Sequence, residues 1–194
     1  MKKDSLYTYL AIAVIFALLI FLPQVLPTYF VGLMTLMLIY AVFAMSLDIL
    51  LGYTGMFSLG HSALFGSAAY IVGILDVKIF QGSQFPFDII AGLLFAAALA
   101  AFFGLLVLRT KGIYFSMLTL ALSLTLWGIP FQMRIFAGGG YGIPSVPRPD
   151  LSFIHLDLME TNNYYYFVFI FFILAAAIMY VIVKSPFGPP AFRG

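Results

Sequence analysis

The chain has 194 residues, of which 64% are hydrophobic and only 8% are charged, and its formal net charge is +2. A soluble domain carries about 25% charged residues, so this composition excludes an ordinary soluble fold and indicates a chain that lies in a lipid bilayer. The Lys and Arg residues form no basic run, which argues against nucleic acid as a partner, and the absence of cysteine excludes disulfides and thiolate metal sites.

Apolar runs bounded by proline, glycine or charged residues predict an all-α fold, a polytopic transmembrane helix bundle of about six spans. The first run follows two lysines in the manner of a signal peptide. No small-residue cleavage site follows it, so we expect it to remain as the first span. The predicted spans are residues 6–22, 30–51, 57–75, 88–108, 113–135 and 164–183.

The distribution of positive charge predicts the orientation. With the N-terminus in the cytoplasm, six of the nine Lys and Arg residues lie on the inner side, in agreement with the positive-inside rule. Arg109 and Lys111 then form a basic cytoplasmic turn between the fourth and fifth spans. Arg148 falls in the long outer loop that precedes the sixth span.

Helix-breaking residues are concentrated after the second span, in the stretch GYTGMFSLGHSALFGSAAY. A glycine inside a helix costs about 1 kcal/mol relative to alanine, so Gly52, Gly55 and Gly60 predict a broken or irregular helix near residues 52–60. A bilayer tolerates such backbone only where it is buried in protein or lines a wet cavity, as in the broken helices of transporters.

Two interpretations of this break stay open. Ser58 and His61 lie where their side chains could join free backbone groups around a passing solute. Alternatively the break is an ordinary cytoplasmic turn, His61 is a packing histidine tied to its surroundings, and Asp48 is an interfacial residue.

Further polar and small residues follow helical spacing. Ser116, Thr119 and Ser123 share one face of the fifth span, where they bond either to a neighbouring helix or to their own backbone. Small residues at intervals of four in the fourth span, beginning at Gly92, predict a close helix contact. The glycine-rich stretch AGGGYGIPSVPRP in the outer loop follows a membrane helix and no strand, so it is not a phosphate cradle. It is either a docking surface or a cap over the bundle.

Four ordered blocks of the sequence resemble the permease subunits of bacterial branched-chain amino acid ABC importers, of the LivM type. The blocks are LGYTGMFSLGHSALFGSAAY at 51–70, LRTKGIYFSMLTLAL at 108–122, AGGGYGIPSVPRP at 137–149 and SPFG at 185–188.

The resemblance implies a multi-pass subunit of the bacterial inner membrane that pairs with a sister permease. It also implies a periplasmic substrate-binding protein that delivers the amino acid and two cytoplasmic ABC ATPases that bind ATP and magnesium. This chain would then hold no cofactor, no metal and no catalytic residue. On matching positions the translocation pathway would comprise Gly52, Gly55, Ser58, Gly60, His61 and Gly66, the periplasmic loop Gly138, Gly139 and Gly142, and the cytoplasmic turn Arg109 and Lys111.

The sequence departs from the family after the SPFG block, where the family continues into a basic helix, a loop that docks on the ATPase and further membrane helices. Here Pro189 and Pro190 oppose a helix. We therefore expect a permease domain over 1–188 that is incomplete relative to the family, and an aberrant tail over 189–194. An ion-coupled secondary transporter that uses Asp48 and His61, or a structural membrane fragment, remain alternatives. The chain has no metalloprotease or serine-hydrolase motif, which argues against an enzyme.

Overall fold

The computed structural model describes residues 2–54, 57–80, 82–107, 109–110, 112–132, 138–139, 142–144, 146–149 and 157–184. Within these residues the regular secondary structure is helical throughout, which confirms the predicted all-α class. The α-helices are α1 (Lys2–Val25), α2 (Thr28–Thr54), α3 (His61–Ile74), α4 (Phe87–Val107), α5 (Ile113–Gln132) and α6 (Thr161–Lys184). A π-helical turn, Leu75–Ile79, directly continues α3.

Five of these helices, α2 to α6, are long and apolar enough to cross a bilayer, with α3 counted together with its π-helical turn. The part of α1 whose side chains are described contributes a shorter apolar stretch, Val14–Val25. Large apolar side chains point away from the protein, as at Leu93 and Leu105, which are 69% and 74% exposed. Lipid tails satisfy such a surface, so the predicted polytopic helix bundle is confirmed.

One half of the bundle is built by α2 and α6, with α1 beside both. Val31 and Leu38 of α2 and Tyr165 and Phe169 of α6 form its buried core. Phenol groups of α6 also reach the backbone of α1.

Pro23 explains why two tyrosines of α6 form hydrogen bonds with the backbone of α1. A proline inside a helix has no N–H, so the carbonyl four residues earlier loses its partner. That carbonyl belongs to Leu19, and it accepts a hydrogen bond of 2.9 Å from the Tyr165 hydroxyl. The Tyr166 hydroxyl donates to the next carbonyl, that of Ile20, also at 2.9 Å. The proline defect in α1 is therefore repaired by α6.

The other half is built by α3, α4 and α5. The predicted close contact of α4 is present at Gly92, where a β-carbon would lie 2.7 Å from Cγ2 of Val72 and 3.4 Å from the carbonyl oxygen of Ala68 on α3. A larger residue at 92 would push the two helices apart. This glycine therefore sets the separation of α3 and α4.

Candidate functional site

The predicted break separates α2 from α3. Helix α2 continues through Gly52 to Thr54, α3 begins at His61, and residues 57–60 are not helical. The broken helix is confirmed, but the interruption begins later than at Gly52. A β-carbon at Gly52 would meet nothing within 4 Å, so no close contact requires glycine here. The residue lowers the stability of α2 only through the weak helix propensity of glycine, and the helix continues past it. Gly55 lies outside the described residues.

The backbone of the break is held by hydroxyl groups of α5. Ser116 Oγ donates a hydrogen bond of 2.6 Å to the carbonyl of Phe57. The N–H of Leu59 donates to Thr119 Oγ1 at 3.2 Å, and this hydroxyl donates to the carbonyl of Ser116 at 2.9 Å. Both interpretations of the hydroxyl face therefore hold in part, because these residues bond to a neighbouring segment and to their own helix.

Gly60 makes the tightest contact between the break and α5. It is buried, and a β-carbon there would lie 3.1 Å from the carbonyl oxygen and 3.3 Å from Cβ of Thr119. Thr119 is the seventh residue of α5, so the contact lies about 9 Å along a helix that rises 1.5 Å per residue. The break is thus near one end of α5 and not at the middle of the bundle.

His61 joins α3 to α2. Its Nε2 lies 2.8 Å from Ser46 Oγ, and the Ser46 hydroxyl donates to the carbonyl of Phe43 at 2.7 Å. The single proton of the serine is used in the second bond, so His61 Nε2 is the donor in the first. The imidazole also packs against the ring of Phe43, with centroids 5.6 Å apart. Asp48 is exposed on α2. The described contacts of His61 are with Ser46 and Phe43 and not with this carboxylate.

The glycines of the outer loop have a backbone conformation that other residues rarely adopt. The φ angles of Gly138, Gly139 and Gly142 are +75°, +63° and +71°. The N–H of Gly142 donates to the carbonyl of Gly139 at 3.3 Å, and a β-carbon at Gly138 would collide with the carbonyl oxygen of Gly142. The tight turn at this point therefore requires glycine for both its φ angles and its close approach.

The rest of this loop is fastened to the ends of two helices. Ile143 and Val146 lie against α3 at Gly73, where a β-carbon would be 3.2 Å and 3.4 Å from their side chains. Arg148 lies over the ring of Tyr164 on α6, with its guanidinium carbon 4.9 Å from the ring centroid.

The guanidinium of Arg148 also donates two hydrogen bonds. Nη1 is 3.1 Å from the carbonyl of Leu158 and 2.8 Å from that of Met159. Arg148 therefore fixes the outer loop to the segment that leads into α6.

A cavity of about 210 Å³ lies between α3 and α5, under the outer loop. Residues from both glycine-rich stretches line it, because Gly66 belongs to α3 and Gly139 to the loop. Ser62 and Tyr70 line it from α3, and Ser123 and Trp127 line it from α5. The two sequence features that looked separate therefore meet at one cavity.

Of the predicted pathway residues, Gly66 lines this cavity. Gly60 and His61 directly precede Ser62 of its wall but are not among its described lining residues, and His61 lines a larger cavity instead. Ser58 is half-buried in the break, and Gly52 is an exposed residue of α2. Sequence reasoning did not single out Tyr70 and Trp127 as neighbours of these glycines. The regular spacing of Ser116, Thr119 and Ser123 is the sequence signal from which the contact of α5 with this region could have been found.

A sequence model of the family described as "Branched-chain amino acid transport system / permease component" matches residues 29–190. The chain belongs to this family. It is also 30% identical over 121 residues to the high-affinity branched-chain amino acid transport system permease protein LivM of Escherichia coli K12. This match covers 62% of the chain but only 28% of that protein, so the chain spans much less than two thirds of the relative. No solved structure matches the chain significantly.

The family match extends over α2 to α6, and with the apolar helices it makes the chain a multi-pass membrane permease. Of the predicted cytoplasmic turn of this permease, Arg109 is exposed between α4 and α5. Lys111 and the predicted tail over 189–194 lie outside the described residues.

The permease has a second cavity, of about 580 Å³, between α2, α3, α4 and α6. Apolar side chains such as Leu38, Phe65 and Phe172 line it, and the hydrogen-bonded pair of Ser46 and His61 is the polar part of its wall. The apolar lining of this cavity favours hydrocarbon groups, whereas several hydroxyl groups line the smaller cavity.

Two carboxyl groups are buried at the far end of α3. Asp76 in the π-helical turn and Asp88 in the first turn of α4 are 4% and 3% exposed. Oδ1 of each aspartate has no hydrogen-bond partner among the described residues, and the N–H of Gln84 donates to the other carboxyl oxygen of Asp88. The two carboxyl groups lie near each other, where the end of α3 approaches the start of α4.

Proposed function

We propose that this permease is a membrane-spanning subunit of an ATP-driven importer that carries branched-chain amino acids across the bacterial inner membrane. The family match over residues 29–190 is the observation that carries this proposal. The cargo class follows the name of the LivM relative, and the direction of transport follows the resemblance to the permease subunits of importers.

The packing of α3 and α5 supports a mechanism of alternating access. We take the close contact of Gly60 with Thr119, which lies one helical turn before Ser123 of the cavity wall, as the inner closure of the 210 Å³ cavity, and Gly139, which lines the cavity from the loop, as its outer closure. Each closure consists of backbone packing and a few hydrogen bonds, and interhelical hydrogen bonds in membranes contribute only about 0.6 kcal/mol on average. Small movements of α3 against α5 would therefore open one closure while the other holds.

The partners in this proposal match particular surfaces. A sister permease would cover part of the exposed apolar exterior of the bundle, and a periplasmic binding protein would dock on the outer loop that Arg148 fastens to α6. Two cytoplasmic ATPases, with ATP and magnesium, would drive the pair from the side of Arg109.

Reconstitution with these partners tests the proposal. The permease is co-expressed with its sister permease, ATPases and binding protein, and uptake of labelled leucine into proteoliposomes is measured. We expect uptake that requires ATP and the binding protein, and the matched control is an ATPase variant that binds ATP without hydrolysing it. Uptake driven by a proton gradient in the absence of ATP would instead establish an ion-coupled secondary transporter.

A further inference from the structure

We propose that the cavity between α3 and α5 is where the cargo rests during transport, with its polar groups at the hydroxyls of the wall and its aliphatic side chain against Trp127. We further propose that Gly66 limits the size of the side chain that this cavity accepts. This inference rests on the proposed function. It adds where the cargo lies, how it is oriented and which residue limits its size.

Several hydroxyls of the wall are not bonded within the described part of the chain. Ser67 Oγ donates to the carbonyl of Leu64 at 2.9 Å. The hydroxyls of Ser62, Tyr70 and Ser123, however, make no hydrogen bond with any part of the chain that the structure describes. Ser62 is exposed and Tyr70 and Ser123 are half-buried, so these hydroxyls are free to bond to water or to a polar solute in the cavity.

The outer half of α5 supplies an apolar wall on the other side. Leu126, Trp127 and Phe131 line the cavity there, and the rings of Trp127 and Phe131 stack with centroids 5.3 Å apart. A molecule with a polar head and a short aliphatic chain matches both walls. No charged side chain is among the described residues of the lining, so neither end of a zwitterion meets a full opposite charge. Such a place holds its cargo weakly and releases it readily.

The size of the cavity suits one small solute. Its volume of about 210 Å³ equals that of about seven liquid waters at ~30 Å³ each, and is below the ~300–1,000 Å³ of pockets for larger ligands. Gly66 lines this space, and a β-carbon built on it would meet nothing within 4 Å. A side chain at position 66 would therefore occupy the cavity without disturbing the packing of α3.

Uptake of leucine and valine by the complete transporter tests the role of Gly66. In Gly66→Val we expect leucine uptake to fall about tenfold more than valine uptake, the discrimination that one methylene gives in a filled pocket. The matched control is Gly32→Val on α2, where a β-carbon also meets nothing within 4 Å and the ratio of the two uptakes should not change. An unchanged ratio in Gly66→Val, or an equal loss of both cargoes with ATPase stimulation intact, would overturn the size limit.

Thiol labelling tests the position of the cargo independently of transport. The chain has no cysteine, so Ser62→Cys and Ser123→Cys each introduce a single thiol. We expect a small water-soluble thiol reagent to label both, and leucine to slow the labelling. Met159→Cys, at a side chain that is 74% exposed, is the control whose labelling leucine should not change.

The outcomes separate the two proposals. Labelling that leucine does not slow would place the cargo elsewhere and overturn the inference, even if ATP-driven uptake is normal. Slowed labelling without ATP-driven uptake would support the inference while the proposed function fails.

Discussion

The hydroxyl of Thr119 is one of the groups of α5 that hold the break between α2 and α3, and Thr119→Val removes it with little change of shape. Thr119 is 5% exposed, and its hydroxyl both accepts from the N–H of Leu59 and donates to the carbonyl of Ser116. Threonine and valine are both β-branched, so the helical preference of α5 changes little. The substitution therefore isolates the two hydrogen bonds.

The expected loss of unfolding free energy depends on the N–H group that the substitution leaves without an acceptor. Without the hydroxyl, the N–H of Leu59 loses its acceptor, and because this hydrogen bond is only partly buried, the cost lies toward the lower end of the about 1–3 kcal/mol of an unsatisfied buried donor. Interhelical hydrogen bonds in membranes average about 0.6 kcal/mol and reach about 1.7. We therefore expect Thr119→Val to lower the free energy of unfolding by about 1–2 kcal/mol.

Thr125→Val is the matched control on the same helix. Thr125 is exposed, and its hydroxyl donates only to the carbonyl of Ala121 in its own helix at 2.9 Å. Unfolding by denaturing detergent in mixed micelles can be followed by the fluorescence of Trp127, the single tryptophan of the chain. If the two variants have the same free energy of unfolding within error, the hydroxyl of Thr119 does not hold the break.

Gly60→Ala perturbs the same contact from the other side. Its β-carbon would lie 3.1 Å from the backbone oxygen of Thr119, which cannot withdraw without moving α5, so we expect a loss of stability. Gly52→Ala is the paired comparison, because its β-carbon has open space and alanine favours a helix by up to about 1 kcal/mol. Equal effects of the two substitutions would contradict the close contact of the break with α5.

Two further predictions concern the other polar contacts of the site. We expect Ser46→Ala and His61→Phe to be non-additive, with a coupling free energy of about 0.5–1.5 kcal/mol in a double-mutant cycle of unfolding, because the two side chains share one hydrogen bond. Additive effects would contradict the bond. We expect Gly138→Ala to weaken docking of the binding protein in a pull-down, because its φ of +75° and the carbonyl of Gly142 leave no room for a methyl group. Wild-type docking would show that the turn is not required.

Several features could be predicted because they depend on local properties of the chain. Hydropathy over some 20 residues determines whether a segment crosses a bilayer, so the predicted spans and the helices agree apart from their ends. The break before His61 was predictable because glycine weakens a helix wherever it lies. The exact ends of the helices could not be predicted, because a helix tolerates a glycine such as Gly52 when the neighbouring residues supply the stability. The assignment of the pathway residues stays a prediction.

The amino-acid sequence by itself determined that this protein is a membrane helix bundle with an interrupted helix, since both follow from the composition of continuous segments. Only the tertiary structure decided which groups satisfy one another across the bundle. Ser116 meets Phe57 although 59 positions separate them, and Asp76 at the end of α3 lies near Asp88 at the start of α4. The cavity under Gly139 also exists only because α3 and α5 pack side by side. Helix formation is a property of neighbours along the chain, whereas hydrogen bonds and cavities between helices depend on how the helices are placed and rotated.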